Sequence, residues 1–142
     1  MTFSIPFYIL LFLSVLWFCF MTWLSHQNGS ETAETSRHLA EELSAIFHSQ
    51  DMHQLNGKLR RAAHIIVFAV LTVLVLLTMM VGEITDRWIA VCLICLWAWL
   101  DEATKPLVQG RHFQWMDVGL NLIGVGIGCV VMTVVITVAA LC

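Results

Sequence analysis

This sequence has little charge. Of its 142 residues, 12% are Asp, Glu, Lys or Arg, 59% are hydrophobic, and the mean hydropathy is +0.83. A soluble domain carries about 25% charged and about 45–50% apolar residues. So little polar surface excludes a water-soluble globule and leaves length for about three to five membrane crossings joined by short loops. The formal net charge of −3 gives no basic field for nucleic acid, which is excluded as a partner. The chain also lacks G-x-S-x-G, a Walker loop and H-E-x-x-H, so the standard hydrolase, NTPase and zincin templates do not apply. There is no internal repeat and no low-complexity tract.

Metal and redox patterns are missing too. Cys19, Cys92, Cys95, Cys129 and Cys142 all lie in or at the end of apolar runs. Cys92 and Cys95 form a C-x-x-C, but inside a Trp/Leu/Ile-rich span thiols serve as packing groups. His26, His38, His48, His53 and His112 show no metal-ligand spacing. No metal and no other cofactor is expected.

What is present is hydrocarbon in spans. With roughly 20 residues needed to cross the apolar core of a bilayer, four spans can be read. The first runs from about Ser4 to Leu24, with Pro6 at its entry, where a missing N–H does least harm. It has no basic leading segment and no small-residue cleavage site, and is read as a retained helix. The second runs from about Ala62 to Val81, and Gly82–Arg87 is a tight polar connection. The third starts at Trp88 and reaches crossing length only by continuing through Asp101-Glu102 to Thr104, where Lys105-Pro106 disfavours further helix. The fourth runs from about Val118 to Leu141.

One long polar segment, about Ser25 to Arg61, separates the first two spans. Leu39, Leu43, Ile46 and Phe47 stand at helical spacing in it, with Arg37–Glu41 and His38–Glu42 as i,i+4 partners. This predicts a short amphipathic helix on the membrane surface or against the bundle. Asn56-Gly57 then predicts a turn before the second span. The expected fold is an all-α membrane protein: one domain over 1–142, a small bundle of about four transmembrane helices, and an amphipathic helix in the first loop.

Ionisable groups beside a span are costly, about 2.5–3.5 kcal/mol each on insertion scales, and mark functional sites. Here they fall on particular helix faces. Arg60 and His64 are four apart, Arg61 and His64 three apart, and Phe68 follows on the same side. Asp117, Asn121, Gly124 and Gly128 recur at four, three and four, one continuous stripe. The Gly124-x-x-x-Gly128 pair lets another helix approach that stripe closely and carries Asp117 and Asn121 towards neighbouring helices. Asp101 and Glu102 point about 100° apart on a helix and cannot share one partner. Lys105 follows Asp101 by four and Glu102 by three, a cation within reach of either.

Taken in order, Ser25-x-Gln27-x-Gly29, Thr32 and Ser36, Arg60-Arg61-x-x-His64, Asp101-Glu102, Gly110-Arg111 and Asp117-x-x-x-Asn121-x-x-Gly124-x-x-x-Gly128 resemble the VanZ-like family of bacterial membrane proteins. The similarity covers about Leu24 to Gly128. The family pattern often has a Tyr four residues after the histidine and a Gln three after the acidic pair; this chain has Phe68 and Lys105 there. The resemblance implies a multi-pass protein of the bacterial cell membrane. Through the family's founding member it implies a link to low-level resistance to the lipoglycopeptide teicoplanin, without remodelling of the peptidoglycan terminus. An acyltransferase label attached to some relatives has no counterpart here, because there is no soluble domain and no coenzyme-binding loop.

Two chemical classes follow for the polar cluster of Ser25, Gln27, Arg60, Arg61, His64, Asp101, Glu102, Arg111, Asp117 and Asn121. In the first it binds an anionic or glycosylated amphiphile: membrane lipid, a lipid-linked envelope intermediate or the lipoglycopeptide itself. Arg60, Arg61 and Arg111 would pair with phosphate, while Gln27, Asp117 and Asn121 would take hydroxyls or amides. In the second, His64 is a general base or acid near Asp101 or Glu102, acting on a lipid phosphate or ester. A non-catalytic assembly role is the third alternative. With four spans, Arg37, Lys58, Arg60, Arg61, Lys105 and Arg111 share one side against Arg87 on the other. The positive-inside rule places that side in the cytoplasm and both termini outside, whereas a cluster acting on teicoplanin has to face outward.

Overall fold

A computed structural model describes residues 3–27, 34 and 52–141, with the backbone alone for 52–56. The amphipathic helix expected around Leu39–Phe47, and Gly29, Thr32 and Ser36, lie outside the described residues. Among the described residues, four helices carry the fold: α1 Ile5–Ser25, α2 Met52–Val81, α3 Arg87–Thr104 and α4 Trp115–Leu141, with a 3-10 turn at Lys105–Leu107. Among the described residues there is no strand.

Among the described residues, three helices are long and apolar enough to cross a membrane: Ile5–Ser25, Gly57–Val81 and Trp115–Leu141. The third helix has 18 residues, including Arg87, Asp101 and Glu102. At 1.5 Å per residue that is about 27 Å, just short of a bilayer's hydrocarbon core. It nevertheless starts at the end where α2 stops and returns to the end where α4 begins.

One expectation is corrected. Asn56-Gly57 is no turn: both residues lie inside α2, which begins at Met52, ten residues ahead of the apolar run. The straight-chain residues that follow (Lys58, Leu59, Arg60 and Arg61) are good helix formers and outweigh the cost of about 1 kcal/mol for one glycine. At the other end of α2 the closure is a Schellman motif: Glu83 N–H reaches Met80 O at 3.2 Å and Ile84 N–H reaches Met79 O at 2.9 Å. Glu83 takes the left-handed position, φ 55°, usually held by glycine. The adjacent Gly82 serves packing, since a Cβ there would lie 2.7 Å from the Phe7 ring of α1.

Consecutive helices run in opposite directions. The first two are pinned by Trp17 Nε1–H donating to Val67 O at 2.9 Å and by the Ser14 and Thr78 hydroxyls at 3.2 Å. Met21, Phe68, Leu71, Ile94, Ala98 and Val125 form the apolar core, to which all four helices contribute. Outside it, Tyr8, Phe12, Leu16, Leu93, Ile123, Val130 and Val134 are exposed. This arrangement of hydrocarbon outside and polar groups inside suits lipid as solvent.

The longest interface joins α2 and α4, which both start at the polar end and so run parallel. Arg60 faces Asp117 and His64 faces Asn121. A Cβ on Gly124 would sit 2.4 Å from Ile65 O, and one on Gly128 would sit 2.6 Å from Thr72 Cβ. The two stripes legible in the sequence therefore lie against each other, and the glycines bring the backbones close enough for the polar pairs to meet.

Candidate functional site

The polar end collects the C-termini of α1 and α3 and the beginnings of α2 and α4. Asp117 lies in the first turn of α4, where the positive end of the helix dipole favours a carboxylate. Its Oδ2 lies 3.2 Å from Arg60 Nη2, 3.4 Å from His64 Nε2 and 4.0 Å from Lys105 Nζ. It is the hub of the cluster.

His64 is oriented by a relay. Asn121 Nδ2–H donates to Ala98 O at 3.3 Å, which turns Asn121 Oδ1 towards His64 Nδ1 at 2.9 Å. An amide oxygen only accepts, so Nδ1 carries the hydrogen and Nε2 is the nitrogen left facing Asp117. Both ring nitrogens thus face protein oxygens, and the side chain is 13% exposed, which leaves a substrate little access to either.

The acidic pair separates as its geometry requires. Asp101 Oδ2 accepts from the Ser25 hydroxyl at 2.8 Å, while Glu102 Oε1 pairs with Lys105. Both carboxylates are fully buried, and Asp101 Oδ1 and Glu102 Oε2 have no hydrogen-bond partner among the described residues. The 3-10 turn that starts at Lys105 gives the i,i+3 pairing with Glu102 in place of i,i+4 with Asp101. Lys105 is 1% exposed and belongs to the site, although the sequence marked it only as a cation near the pair.

Arg111 is delivered by a turn closed by its own N–H on Val108 O at 3.2 Å, with Gly110 at φ 77° in the third position. That position requires glycine in a type II turn. Its Nη2 donates to Ser25 O at 3.0 Å. Burial and the nearby charge of Arg60 lower its pKa from the usual arginine value, against the opposing pull of Glu102, Asp117 and Asp101. His26 ties the same corner, its ring lying between Thr22 O at 2.8 Å and Thr104 Oγ1 at 2.9 Å. No sequence signal marks that contact, which spans 78 positions.

Of the ten residues expected in the site, Ser25, Arg60, His64, Asp101, Glu102, Arg111, Asp117 and Asn121 are joined by these contacts. Gln27 is half-buried just past the end of α1, and Arg61 is exposed and takes no part in the hydrogen bonds or ion pairs of the cluster among the described residues. His64, Glu102 and Asp117 each offer one metal-ligand atom, all within 4.8 Å of one another.

The sequence model of the VanZ/LLP1 family matches residues 9–136, nearly the whole chain. The chain belongs to the VanZ/LLP1 family. No curated protein and no solved structure matches it. Among the described residues, this VanZ-like membrane protein gathers three acids (Asp101, Glu102 and Asp117) and three strong bases (Arg60, Lys105 and Arg111) at its polar end. The formal charges cancel when His64 is neutral. An anion entering such a site meets donors already held in place.

Proposed function

We propose that this VanZ-like protein is a multi-pass protein of the bacterial cell membrane that binds an anionic or glycosylated amphiphile at its polar end. The ligand is a membrane lipid or a lipid-linked envelope intermediate, and teicoplanin-type lipoglycopeptide resistance is the trait it contributes to. The observation that carries this reading is the pair Arg60 and Arg111. Arg60 touches Asp117 through one terminal nitrogen while its side chain stays 42% exposed, which leaves most of its fork at the mouth. The charge of Arg60 also acts on Arg111, a repulsion that a bridging phosphate would relieve. Binding is favoured over catalysis by His64 because both ring nitrogens already face Asn121 and Asp117.

The test uses purified protein in a neutral detergent, titrated with dioctanoyl phosphatidic acid and, as the uncharged control, dioctanoylglycerol. Phosphatidate should bind and diacylglycerol should not. Arg60→Ala with Arg111→Ala should weaken phosphatidate binding at least about tenfold, one lost charge-assisted contact being worth about 1.5–3 kcal/mol. Arg111→Lys should recover only part of the loss, because an ammonium cannot reproduce a bidentate fork. Unchanged binding in the folded double variant would reject the reading.

A further inference from the structure

We infer that His64, Glu102 and Asp117 form a binding site for one divalent transition-metal cation of the zinc class. Three helices each supply one ligand atom, and the three atoms lie within 4.8 Å of one another. Mixed imidazole and carboxylate donors suit zinc and its neighbours better than magnesium.

Two further observations point to a cation there. The first is the orientation of His64. Asn121 Oδ1 fixes the hydrogen on Nδ1, so in the neutral ring the lone pair of Nε2 faces Asp117 Oδ2 at 3.4 Å. Two acceptors do not face each other unless a proton or a cation lies between them. Two ligands about 2.0–2.1 Å from one tetrahedral ion stand about 3.3 Å apart, close to the spacing of this His64–Asp117 pair. An imidazole whose other N–H is held by a carbonyl oxygen is also the usual setting of a metal-bound histidine.

The second observation is Glu102. The side chain is wholly buried, Lys105 takes Oε1, and Oε2 has no hydrogen-bond partner among the described residues. A buried carboxylate oxygen without a partner is unfavourable even when the other oxygen is ion-paired, and a metal ion supplies the missing partner. Lys105 does not fill the place, since its ammonium is engaged on Oε1 and lies 4.0 Å from Asp117 Oδ2, beyond hydrogen-bonding distance.

The histidine spacings in the sequence display no such site because its ligands come from three different helices. Since the three acids and three bases already balance, a dication brings two uncompensated positive charges and calls for an anionic ligand in its open position. This last step rests on the amphiphile reading; the metal site itself does not.

The experiment uses the full chain in detergent, stripped with a chelator and dialysed against Zn²⁺, with metal content measured by mass spectrometry. The expected result is one Zn²⁺ per chain, undisturbed by excess Mg²⁺. Retention should fall at least about tenfold in Asn121→Ala, which removes the group orienting the ring, and further in His64→Gln and Glu102→Gln. X-ray absorption of the loaded wild type should show an imidazole nitrogen and carboxylate oxygens at about 2.0–2.2 Å, a readout that needs no variant. Failure of the folded wild type to retain zinc, or equal retention in His64→Gln and Glu102→Gln, overturns the inference. Phosphatidate titration in chelator separates the two claims. Lipid binding without zinc retention removes the metal and leaves the amphiphile reading, while zinc retention without lipid binding does the reverse.

Discussion

Gly124→Ala is expected to destabilise the bundle by about 1–3 kcal/mol, the usual cost of overpacking a close contact, while Gly126→Ala two residues away is expected to be neutral or stabilising. A methyl on Gly124 would sit 2.4 Å from the backbone oxygen of Ile65 and 3.0 Å from Phe68 Cβ. A backbone carbonyl within α2 cannot swing aside, so the two helices have to separate. Separation reaches beyond the contact, because Asn121 and Asp117 meet His64 and Arg60 only while α2 and α4 stay close. Gly128→Ala meets Thr72 Cβ at 2.6 Å and Ala69 O at 2.9 Å and should behave likewise. At Gly126 a Cβ meets nothing within 4 Å, and alanine is the better helix former by about 1 kcal/mol. Thermal unfolding in detergent, followed by far-ultraviolet circular dichroism, gives the comparison. Equal stability of Gly124→Ala and Gly126→Ala would mean that the α2–α4 contact is looser than described.

That pair of glycines also marks how much was readable beforehand. The stripe Asp117, Asn121, Gly124, Gly128 lies on one helix, where spacings of three and four convert directly into a shared face. The opposing stripe of Arg60, His64 and Phe68 is legible for the same reason. The end of α3 at Thr104 follows from Lys105-Pro106, a local backbone constraint. The start of α2 at Met52 is not legible this way, because hydropathy reports only where hydrocarbon begins, at Ala62.

Contacts between distant positions carry no such signature. Ser25 is 76 residues from Asp101 and 86 from the arginine that grips its carbonyl. Even the assignment of Lys105 depended on a detail outside the reach of helical spacing: whether the chain continues as α-helix or tightens to a 3-10 turn. The grouping of His64, Glu102 and Asp117 is the extreme case, with one residue from each of three helices.

Lys105→Met is expected to cost about 3–5 kcal/mol, the penalty for breaking a buried ion pair from one side, whereas the double variant Lys105→Met/Glu102→Met should cost much less than the sum of the two single changes. The Lys105 and Glu102 side chains are 1% and 0% exposed and paired with each other. Removing the ammonium leaves Glu102 buried with neither oxygen compensated, so the carboxyl must take up a proton or draw in water. Removing both charges leaves two flexible apolar side chains of similar volume in a space the pair already filled, and no orphan remains. A thermodynamic cycle of wild type, both single variants and the double variant, unfolded in the same detergent, measures the coupling. Additive costs would show that Lys105 is held mainly through Asp117, 4.0 Å away. The single variant also bears on the metal site. With the competing ammonium gone, both oxygens of Glu102 are open to a cation, and zinc should restore part of the stability lost by Lys105→Met while doing nothing for the double variant. If zinc stabilises both variants equally, it acts elsewhere and Glu102 is not its ligand.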